Sequence, residues 1–228
     1  MCKLCNKYYN KNINVIEYYK QKLCEKGFKY LSTLINLQEL YLNNNIITNK
    51  EYIYISKLSN LQILELSSAN ISDNGCKYLS KLNNLNILDL SYNNINDNGC
   101  KYLSTLTNLQ NINLWGNNIS DNGCTYLSKL TNLQELILSY NNNISDKGCT
   151  YLSKLTNLNN LYLSYNKISD KGCKYLSKLI NLSYFMYINN NLSNNYTKKL
   201  NYFKVPYKIE DGLKIKLFCM KYYFKINY

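Results

Sequence analysis

One segment of about 24 residues recurs down most of the chain, and this repetition constrains the fold more than any other feature. A well-preserved copy, residues 82–105, reads LNNLNILDLSYNNINDNGCKYLST. Successive copies begin 24 residues apart, except for one interval of 25. A period of this length predicts an array of stacked units, each of which contacts only its neighbours. The seven copies begin at Leu34, Leu58, Leu82, Leu106, Leu130, Leu155 and Leu179.

Within each copy the apolar positions change from a strand pattern to a helix pattern. Leu88 and Leu90 alternate with polar residues, which predicts a short strand with both leucines on one face. Residues 100–106 place a cysteine and leucines at helical spacing, and residues 97–99 (Asp-Asn-Gly) before them predict a turn with the helix N-cap. One strand and one short helix cannot bury an apolar face alone. We therefore predict an α/β solenoid of seven repeats, with a parallel sheet on the concave side and short helices on the convex side.

A single asparagine follows the predicted strand in nearly every copy. Its side chain can satisfy backbone groups in the turns of its own repeat and of the next one, which predicts a buried asparagine ladder. The second copy has Ala69 at this position, and Asn70 is the candidate replacement. The fifth copy has one extra residue near Asn142, where we expect a bulge. The predicted ladder comprises Asn45, Asn93, Asn117, Asn141, Asn166 and Asn190.

These residues resemble the leucine-rich repeat superfamily, whose pattern is L-x-x-L-x-L-x-x-N-x-I. The tail I-x-D-x-G-x-x-x-L, seen in residues 71–79, is similar to the short 24-residue type of some bacterial effectors. It is also similar to the cysteine-containing repeats of ubiquitin-ligase substrate receptors. The resemblance covers roughly residues 22–192 and implies a non-catalytic scaffold that binds a partner protein, without identifying that partner.

Both ends of the chain differ in composition from the repeats and are predicted to be caps that cover the ends of the core. Residues 1–33 are predicted to form a helical N-terminal cap, because apolar residues recur at helical spacing between Ile13 and Leu23. The repeat array is assigned to residues 34–192. Residues 193–228 contain two alternating apolar stretches separated by Glu-Asp-Gly, which predict a C-terminal hairpin.

The composition excludes several kinds of chemistry. The chain has no histidine, so histidine-based nucleophile pairs and histidine metal ligands are absent, and all 27 basic residues are lysine. We expect no enzymatic activity, no cofactor and no metal, although Cys2 and Cys5 leave a metal site open. Five cysteines share one helix position and are interpreted as core residues: Cys76, Cys100, Cys124, Cys149 and Cys173.

The residues between the strand leucines are expected to face the inner curve of the array and to form its binding surface. This surface carries four acids and no lysine, although the chain as a whole has a net charge of +13. It also carries the only tryptophan and several tyrosines, which are enriched in protein–protein hot spots. We therefore predict a protein partner with a basic contacting surface. The candidate contact residues are Tyr41, Glu65, Asp89, Tyr92, Trp115, Glu135, Ile137, Tyr140, Tyr162, Tyr165 and Tyr184.

Two other interpretations stay open. Tyr92, Tyr140 and Tyr165 each stand in a Ser-Tyr-Asn triplet and can have been copied with the repeat instead of selected for binding. The lysine-rich termini can contact nucleic acid or another anionic surface. No apolar run approaches the length needed to span a bilayer, and the first residues lack a secretory signal. We therefore expect an intracellular, cytoplasmic protein.

Overall fold

The computed structural model describes residues 12–21 and 23–194, in which eight short strands alternate with seven short helices. The strands are β1 (Val15–Glu17), β2 (Glu39–Tyr41), β3 (Ile63–Glu65), β4 (Ile87–Asp89), β5 (Asn111–Asn113), β6 (Glu135–Ile137), β7 (Asn160–Tyr162) and β8 (Tyr184–Met186). The helices are α1 (Glu25–Leu31), α2 (Asn49–Ile55), α3 (Asp73–Leu79), α4 (Asp97–Leu103), α5 (Asp121–Leu127), α6 (Asp146–Leu152) and α7 (Asp170–Leu176).

All eight strands lie side by side in one parallel sheet, in the order in which they occur in the chain. Each strand pairs in the same register with the next, so residues one repeat apart face each other, as Leu64 faces Leu88. The central residue of each strand points into the interior, where Leu64, Leu88 and Leu136 are fully buried. The predicted α/β solenoid, with a parallel sheet on one side and short helices on the other, is therefore confirmed.

The N-terminal region differs from the helical cap that the sequence predicts. Among its described residues, from 12 to 33 without 22, only residues 25–31 are helical, whereas Val15–Glu17 form strand β1, in which Ile16 pairs with Leu40 of β2. The sheet consequently has eight strands, one more than the seven repeats counted in the sequence. The helix predicted between Ile13 and Leu23 is wrong because the edge of the sheet supplies backbone hydrogen bonds to the incoming segment. This pairing outweighs a local helical spacing.

Two predictions fall on residues that the structure does not describe. The C-terminal hairpin was assigned to residues 193–228, of which only Ser193 and Asn194 are described. The possible metal site at Cys2 and Cys5 also lies outside the described residues. The boundaries of the two caps therefore stay predictions.

The helices begin one residue earlier than the predicted N-cap turn requires. In α4 the N-cap is Asn96, whose side chain accepts a hydrogen bond from the backbone N–H of Asn98. Asp97 is already the first helical residue, which leaves its carboxylate free to contact the next repeat. The same kind of cap begins α5, α6 and α7, at Ser120, Ser145 and Ser169.

The repeated cysteines form part of the apolar interior. All five are between 0% and 4% exposed, and all are free thiols. Burial raises the pKa of each thiol above its ordinary value, which keeps the group protonated and neutral. Their interpretation as core residues is therefore confirmed.

Candidate functional site

The concave face of the sheet consists of the side chains that flank the buried central residue of each strand. Because neighbouring strands are in register, the first residues of the strands form one row and the third residues form another. The first row contains Glu135 and Tyr184, and the third-residue row contains Tyr41, Glu65, Asp89, Ile137 and Tyr162. The other predicted contacts follow the strands: Tyr92, Trp115, Tyr140 and Tyr165.

Several of these side chains are much less exposed than expected for an outward-facing surface. Asp89, Glu135 and Ile137 are each 5% exposed, and Trp115 is 9% exposed. Neighbouring strands are only about 4.8 Å apart, so the side chains of one strand cover those of the next. Tyr184 is 37% exposed because it lies on β8, the last strand of the described sheet.

The acidic side chains of the concave face are held by neutral hydrogen-bond donors. Asp89 accepts a hydrogen bond from the backbone N–H of Ser91 at 2.8 Å and another from Nδ2 of Asn113 at 3.1 Å. Glu65 accepts one from Nδ2 of Asn43 at 2.7 Å. These donors position the carboxylates without neutralising them, so the negative charge remains when the groups are ionised.

Burial raises the pKa of these acids, because loss of water disfavours their charged form. The pKa of Asp89 is raised to about 6 and that of Glu65 to about 7, although their hydrogen-bond donors favour the charged form. Burial also raises the pKa of Glu135, which accepts a hydrogen bond from Nδ2 of Asn160 at 2.9 Å. The charge of the concave face therefore changes near neutral pH.

We expect the fold to lose stability as the pH rises from about 5 to about 7.5. The pKa values of Asp89 and Glu65 lie above their ordinary values of 3.8 and 4.5, so the folded state binds more protons than the unfolded state in this range. The expected decrease in the free energy of unfolding is about 1–2 kcal/mol, after allowance for solvent screening at the partly exposed Glu65. Urea unfolding at the two pH values measures this difference.

Two variants assign this pH dependence to the concave face. Glu65→Gln removes one titrating group while keeping an oxygen for Asn43, so the difference between the two pH values should shrink. Glu25→Gln changes an exposed acid on α1 and should leave the difference as in the wild type. Stability that rises with pH over this range would contradict the prediction.

Four aromatic side chains form a continuous row where the strands end, here called the aromatic ledge: Tyr92, Trp115, Tyr140 and Tyr165. The ring centroids of Tyr92 and Trp115 are 4.9 Å apart, and those of Trp115 and Tyr140 are 5.7 Å apart. The rings of Tyr140 and Tyr165 stack with centroids at 3.8 Å. The first two separations lie in the range that is favourable for aromatic pairs, and the third pair is in direct stacking contact, so the ledge forms one packed surface.

The tyrosines of the aromatic ledge occupy backbone positions that disfavour tyrosine. The φ angles of Tyr92, Tyr140 and Tyr165 are 52°, 58° and 56°, in the left-handed region, and Gly116 at the equivalent position has a φ of 65°. This conformation costs a residue with a β-carbon about 1–2 kcal/mol. The turn after each strand requires it, because the equivalent residues of the other repeats adopt it as well. Glycine or asparagine would be less strained here.

Trp115 carries a buried hydrogen-bond donor that is not satisfied within the described part of the chain. Its indole Nε1 has no hydrogen-bond partner among these residues, although the side chain is 91% buried. Buried indole N–H groups usually have a partner. The aromatic ledge therefore contains one buried donor that is not satisfied by the described residues.

The other predicted tyrosines lie on the strands. Tyr162 and Tyr184 form a separate pair with ring centroids 5.1 Å apart, on β7 and β8. Tyr41 lies at the other end of the sheet and donates a hydrogen bond from its hydroxyl to Glu39 at 2.6 Å. The aromatic surface is thus concentrated in the C-terminal half of the concave face.

The predicted asparagines form a ladder that links each repeat to the preceding one, not to the next. Nδ2 of Asn117 donates to the backbone carbonyls of Leu90 at 2.9 Å and Leu114 at 3.1 Å. Its Oδ1 accepts a hydrogen bond from the backbone N–H of Ile95 at 3.0 Å. Equivalent hydrogen bonds are made by Asn45, Asn93, Asn141, Asn166 and Asn190.

The repeat that contains Ala69 replaces the missing amide with a backbone group. The N–H of Ile47 donates to the carbonyl of Ala69 itself at 3.1 Å. The predicted role of the Asn70 side chain is therefore wrong. Asn70 contributes through its backbone, because its φ of 60° gives this turn a second left-handed residue. The extra residue of the fifth repeat, Asn142, is exposed and has a φ of 63°.

A second ladder, made of aspartates at the helix starts, was not expected from the sequence. Oδ1 of Asp121 accepts hydrogen bonds from the backbone N–H groups of Ser145 and Gly148, both at 2.8 Å, and Oδ2 accepts one from Oγ of Ser145 at 2.6 Å. A β-carbon at Gly148 would lie 2.6 Å from Oδ1, so this approach requires glycine. The recurrence of D-x-G at the repeat period was the available signal. Related contacts involve Asp73, Asp97, Asp146 and Asp170.

The described residues contain neither a cluster of metal-ligating side chains nor a membrane-spanning helix. No three histidine, cysteine or acidic side chains of residues 12–21 and 23–194 are grouped closely enough to bind a metal ion. The helices in this part of the chain are seven residues long, far shorter than a bilayer requires. The aromatic and acidic concave face is the site that remains to be assigned a role.

Several solved structures are similar to this chain. Internalin C2 from Listeria monocytogenes is 28% identical, with a TM-score of 0.63, and the match covers 89% of this chain and 75% of that one. A plant ice-binding protein is 20% identical, with a TM-score of 0.53 and coverage of 78% and 57%. The Arabidopsis receptor kinase HAESA, in complex with the peptide hormone IDA and the co-receptor SERK1, is 20% identical, with a TM-score of 0.57 and coverage of 79% and 35%. The two plant structures show the fold alone.

No curated protein matches the chain. The family model described as Leucine Rich repeat matches five consecutive segments, residues 57–80, 81–104, 105–128, 129–153 and 154–177, which make up more than half of the chain. Proteins with this repeat are generally non-catalytic scaffolds for protein–protein interaction, and they use the concave surface that the stacked repeats create. The five matched repeats, together with the solenoid of parallel strands, show that the chain belongs to the leucine-rich repeat proteins.

Proposed function

We propose that this protein binds a partner protein on its concave face, through the aromatic ledge and the neighbouring carboxylates. The observation that carries the proposal is the backbone strain at Tyr92, Tyr140 and Tyr165. Strained positions persist when the surrounding structure holds them in place, and they cluster at functional sites. Simple copying of the repeat explains why the three tyrosines are alike, but it does not explain why a strained residue is retained.

The chemistry of the face indicates what kind of partner surface it suits. Packed aromatic rings supply large contact areas at low entropic cost and are typical of binding hot spots. The carboxylates of Glu65, Asp89 and Glu135 lie in the same sheet with neutral hydrogen-bond donors. A lysine- or arginine-rich partner surface would complement this charge and would favour the ionised forms of the acids. Such a partner should therefore bind more tightly as the pH rises toward about 7.5.

The experiment compares the wild type with Tyr140→Asn/Tyr165→Asn, because asparagine occupies the same left-handed position at Asn44 and Asn189. A partner is captured from a nuclease-treated lysate of the native cell, purified, and titrated against both proteins. We expect the Kd to rise at least about tenfold in the variant, which corresponds to about 1.4 kcal/mol of binding free energy. The thermal midpoint should be unchanged or higher, since the variant relieves backbone strain.

A matched control changes two tyrosines in the same repeats on the helical side. Tyr151→Asn/Tyr175→Asn removes side chains that pack partly against the core from outside, so it should reduce stability but leave the Kd within about twofold. Equal binding by the wild type and the ledge variant would exclude the aromatic ledge as the contact. Loss of the bound material on nuclease treatment would instead support nucleic acid binding through the lysine-rich termini, which lie largely outside the described residues.

A further inference from the structure

A groove lined only by asparagine and glutamine runs along the edge of the solenoid where the chain passes from each helix to the next strand. It has two adjoining sections of about 650 Å³ and 440 Å³, which share Asn86 and Asn108. Every lining residue of both sections, between Asn12 and Asn181, carries a side-chain amide. We name this feature the amide groove. It lies at the opposite end of the strands from the aromatic ledge.

One row of the amide groove consists of the asparagines that stand two residues after the leading leucine of each repeat, such as Asn84 and Asn108. Hydrogen bonds to the preceding repeat hold this row in place. Nδ2 of Asn84 donates to the carbonyl of Ser59 at 2.9 Å, and Nδ2 of Asn108 donates to the carbonyl of Asn83 at 2.8 Å. The same hydrogen bond recurs in the following repeats. Each amide is therefore oriented by the preceding repeat, and its oxygen is not used in this contact. The row presents hydrogen-bond acceptors at a fixed spacing.

The second row consists of the residues directly before the strands, such as Gln62, Asn86 and Gln110, and backbone hydrogen bonds fix its position. The N–H of Asn86 donates to the carbonyl of Gln62 at 2.8 Å, and the N–H of Gln110 donates to the carbonyl of Asn86 at 2.8 Å. These hydrogen bonds set the spacing of the row at about 4.8 Å, the distance between neighbouring strands. The side-chain amides of Gln62, Asn86 and Gln110 form no hydrogen bond with another residue of the described chain. Each offers two donors and one acceptor oxygen.

The chemistry of this lining excludes several classes of ligand. It contains no lysine, so it lacks the charges that neutralise a polyanion such as a nucleic acid. It contains no apolar side chain, so it offers nothing to a lipid or a hydrophobic peptide. An extended peptide advances by about 3.3 Å per residue, which does not match the distance of about 4.8 Å between successive amides of one row. A neutral, extended polymer with both donors and acceptors along its length suits this lining.

We propose that the amide groove binds an uncharged, extended polysaccharide chain, with the hydroxyl groups of successive sugars paired to amides of successive repeats. A hydroxyl group is both donor and acceptor, as the amides are, so each pairing can be satisfied in either direction. An extended β-linked chain of hexoses carries hydroxyl groups on every sugar, at a spacing comparable with that of neighbouring strands. Individual contacts of this kind are weak, and affinity should grow with the number of repeats engaged. This activity is independent of partner binding at the aromatic ledge.

The test is calorimetric titration of the full chain with cellohexaose and cellotriose, two neutral β-linked glucose chains that differ in length. We expect the hexasaccharide to bind at least about tenfold more tightly than the trisaccharide. In Gln62→Ala/Asn86→Ala/Gln110→Ala, affinity for the hexasaccharide should fall by at least about tenfold. The thermal midpoint should be unchanged, because these side chains make no internal hydrogen bond. If this variant fails to fold, Gln62→Met/Gln110→Met keeps the side-chain length without the amide groups and should also weaken binding.

A matched control removes three exposed asparagines from the helix starts of successive repeats, in Asn74→Ala/Asn98→Ala/Asn122→Ala. These residues do not line the amide groove, so the control should bind the hexasaccharide as the wild type does. Absence of binding at millimolar hexasaccharide would overturn the proposal, as would an equal loss of affinity in both triple variants. Heparin binding that is lost in the groove variant while cellohexaose shows none would also overturn it, in favour of a polyanion.

Discussion

Asn117→Ala is expected to lower the free energy of unfolding by about 3–4 kcal/mol, the largest effect we predict for a single substitution in this chain. Asn117 is 5% exposed and hydrogen-bonds to the backbone of its own repeat and of the preceding one. The carbonyls of Leu90 and Leu114 keep a second amide donor from a neighbouring rung of the ladder. The N–H of Ile95 has no such second partner and would be left buried and unsatisfied.

Chemical denaturation of Asn117→Ala and of Asn118→Ala checks this prediction. Asn118 is the next residue, but it is exposed, and its amide contacts only the exposed Asn94 side chain at 2.9 Å. Its removal should change the free energy of unfolding by less than about 0.5 kcal/mol. Similar values for the two variants would mean that the asparagine ladder does not stabilise the turns. Ala69 shows how alanine is accommodated at a ladder position, since its turn has a second left-handed residue that the turn of Asn117 lacks.

Asp121→Ala is expected to lower the free energy of unfolding by about 2–3 kcal/mol, the second-largest effect. Its carboxylate accepts two backbone N–H groups and one hydroxyl from the next repeat. Alanine would leave the N–H groups of Ser145 and Gly148 without their acceptor at the start of α6. Gly148 is buried, so water cannot fully replace that acceptor.

Asp121→Asn is the conservative control for this aspartate. Asparagine keeps one oxygen for both backbone N–H groups and can donate from its NH₂ group to Oγ of Ser145. The cost should therefore stay below about 1 kcal/mol in the same denaturation measurement. A loss as large as that of the alanine variant would mean that the negative charge, and not the hydrogen-bond geometry, links α5 to α6.

The repeat period predicted most of the fold because the residues that specify strand, turn and helix lie within one repeat, and the sequence contains seven copies of it. Leu88, Leu90 and Cys100 identify strand, turn and helix within one copy, and every further copy confirms the pattern. The same argument failed before Leu34, where no clear copy exists. Ile16 fits a helical spacing, but it lies in β1 because the edge of β2 was available for pairing.

The positions of the candidate site residues on the sheet were predictable from the sequence, but the burial of their side chains was not. The alternation around Leu64 and Leu88 was enough to place Glu65 and Asp89 on the concave face. The exposure of these two side chains was overestimated, because the sequence does not show how closely the side chains of one strand cover those of the next strand. The raised pKa values of these acids follow from that burial and were therefore also out of reach.

The sequence by itself determined the solenoid, its leucine core and the positions of the ladder asparagines, because each is marked by residues that recur at fixed places within one repeat. The tertiary structure alone decided which side chains of different repeats meet. The aspartate ladder, the stacking of Tyr140 on Tyr165 and the amide groove all join residues about one repeat apart in the chain. Such contacts depend on the distance of about 4.8 Å at which the backbone hydrogen bonds hold neighbouring strands, which no single repeat specifies.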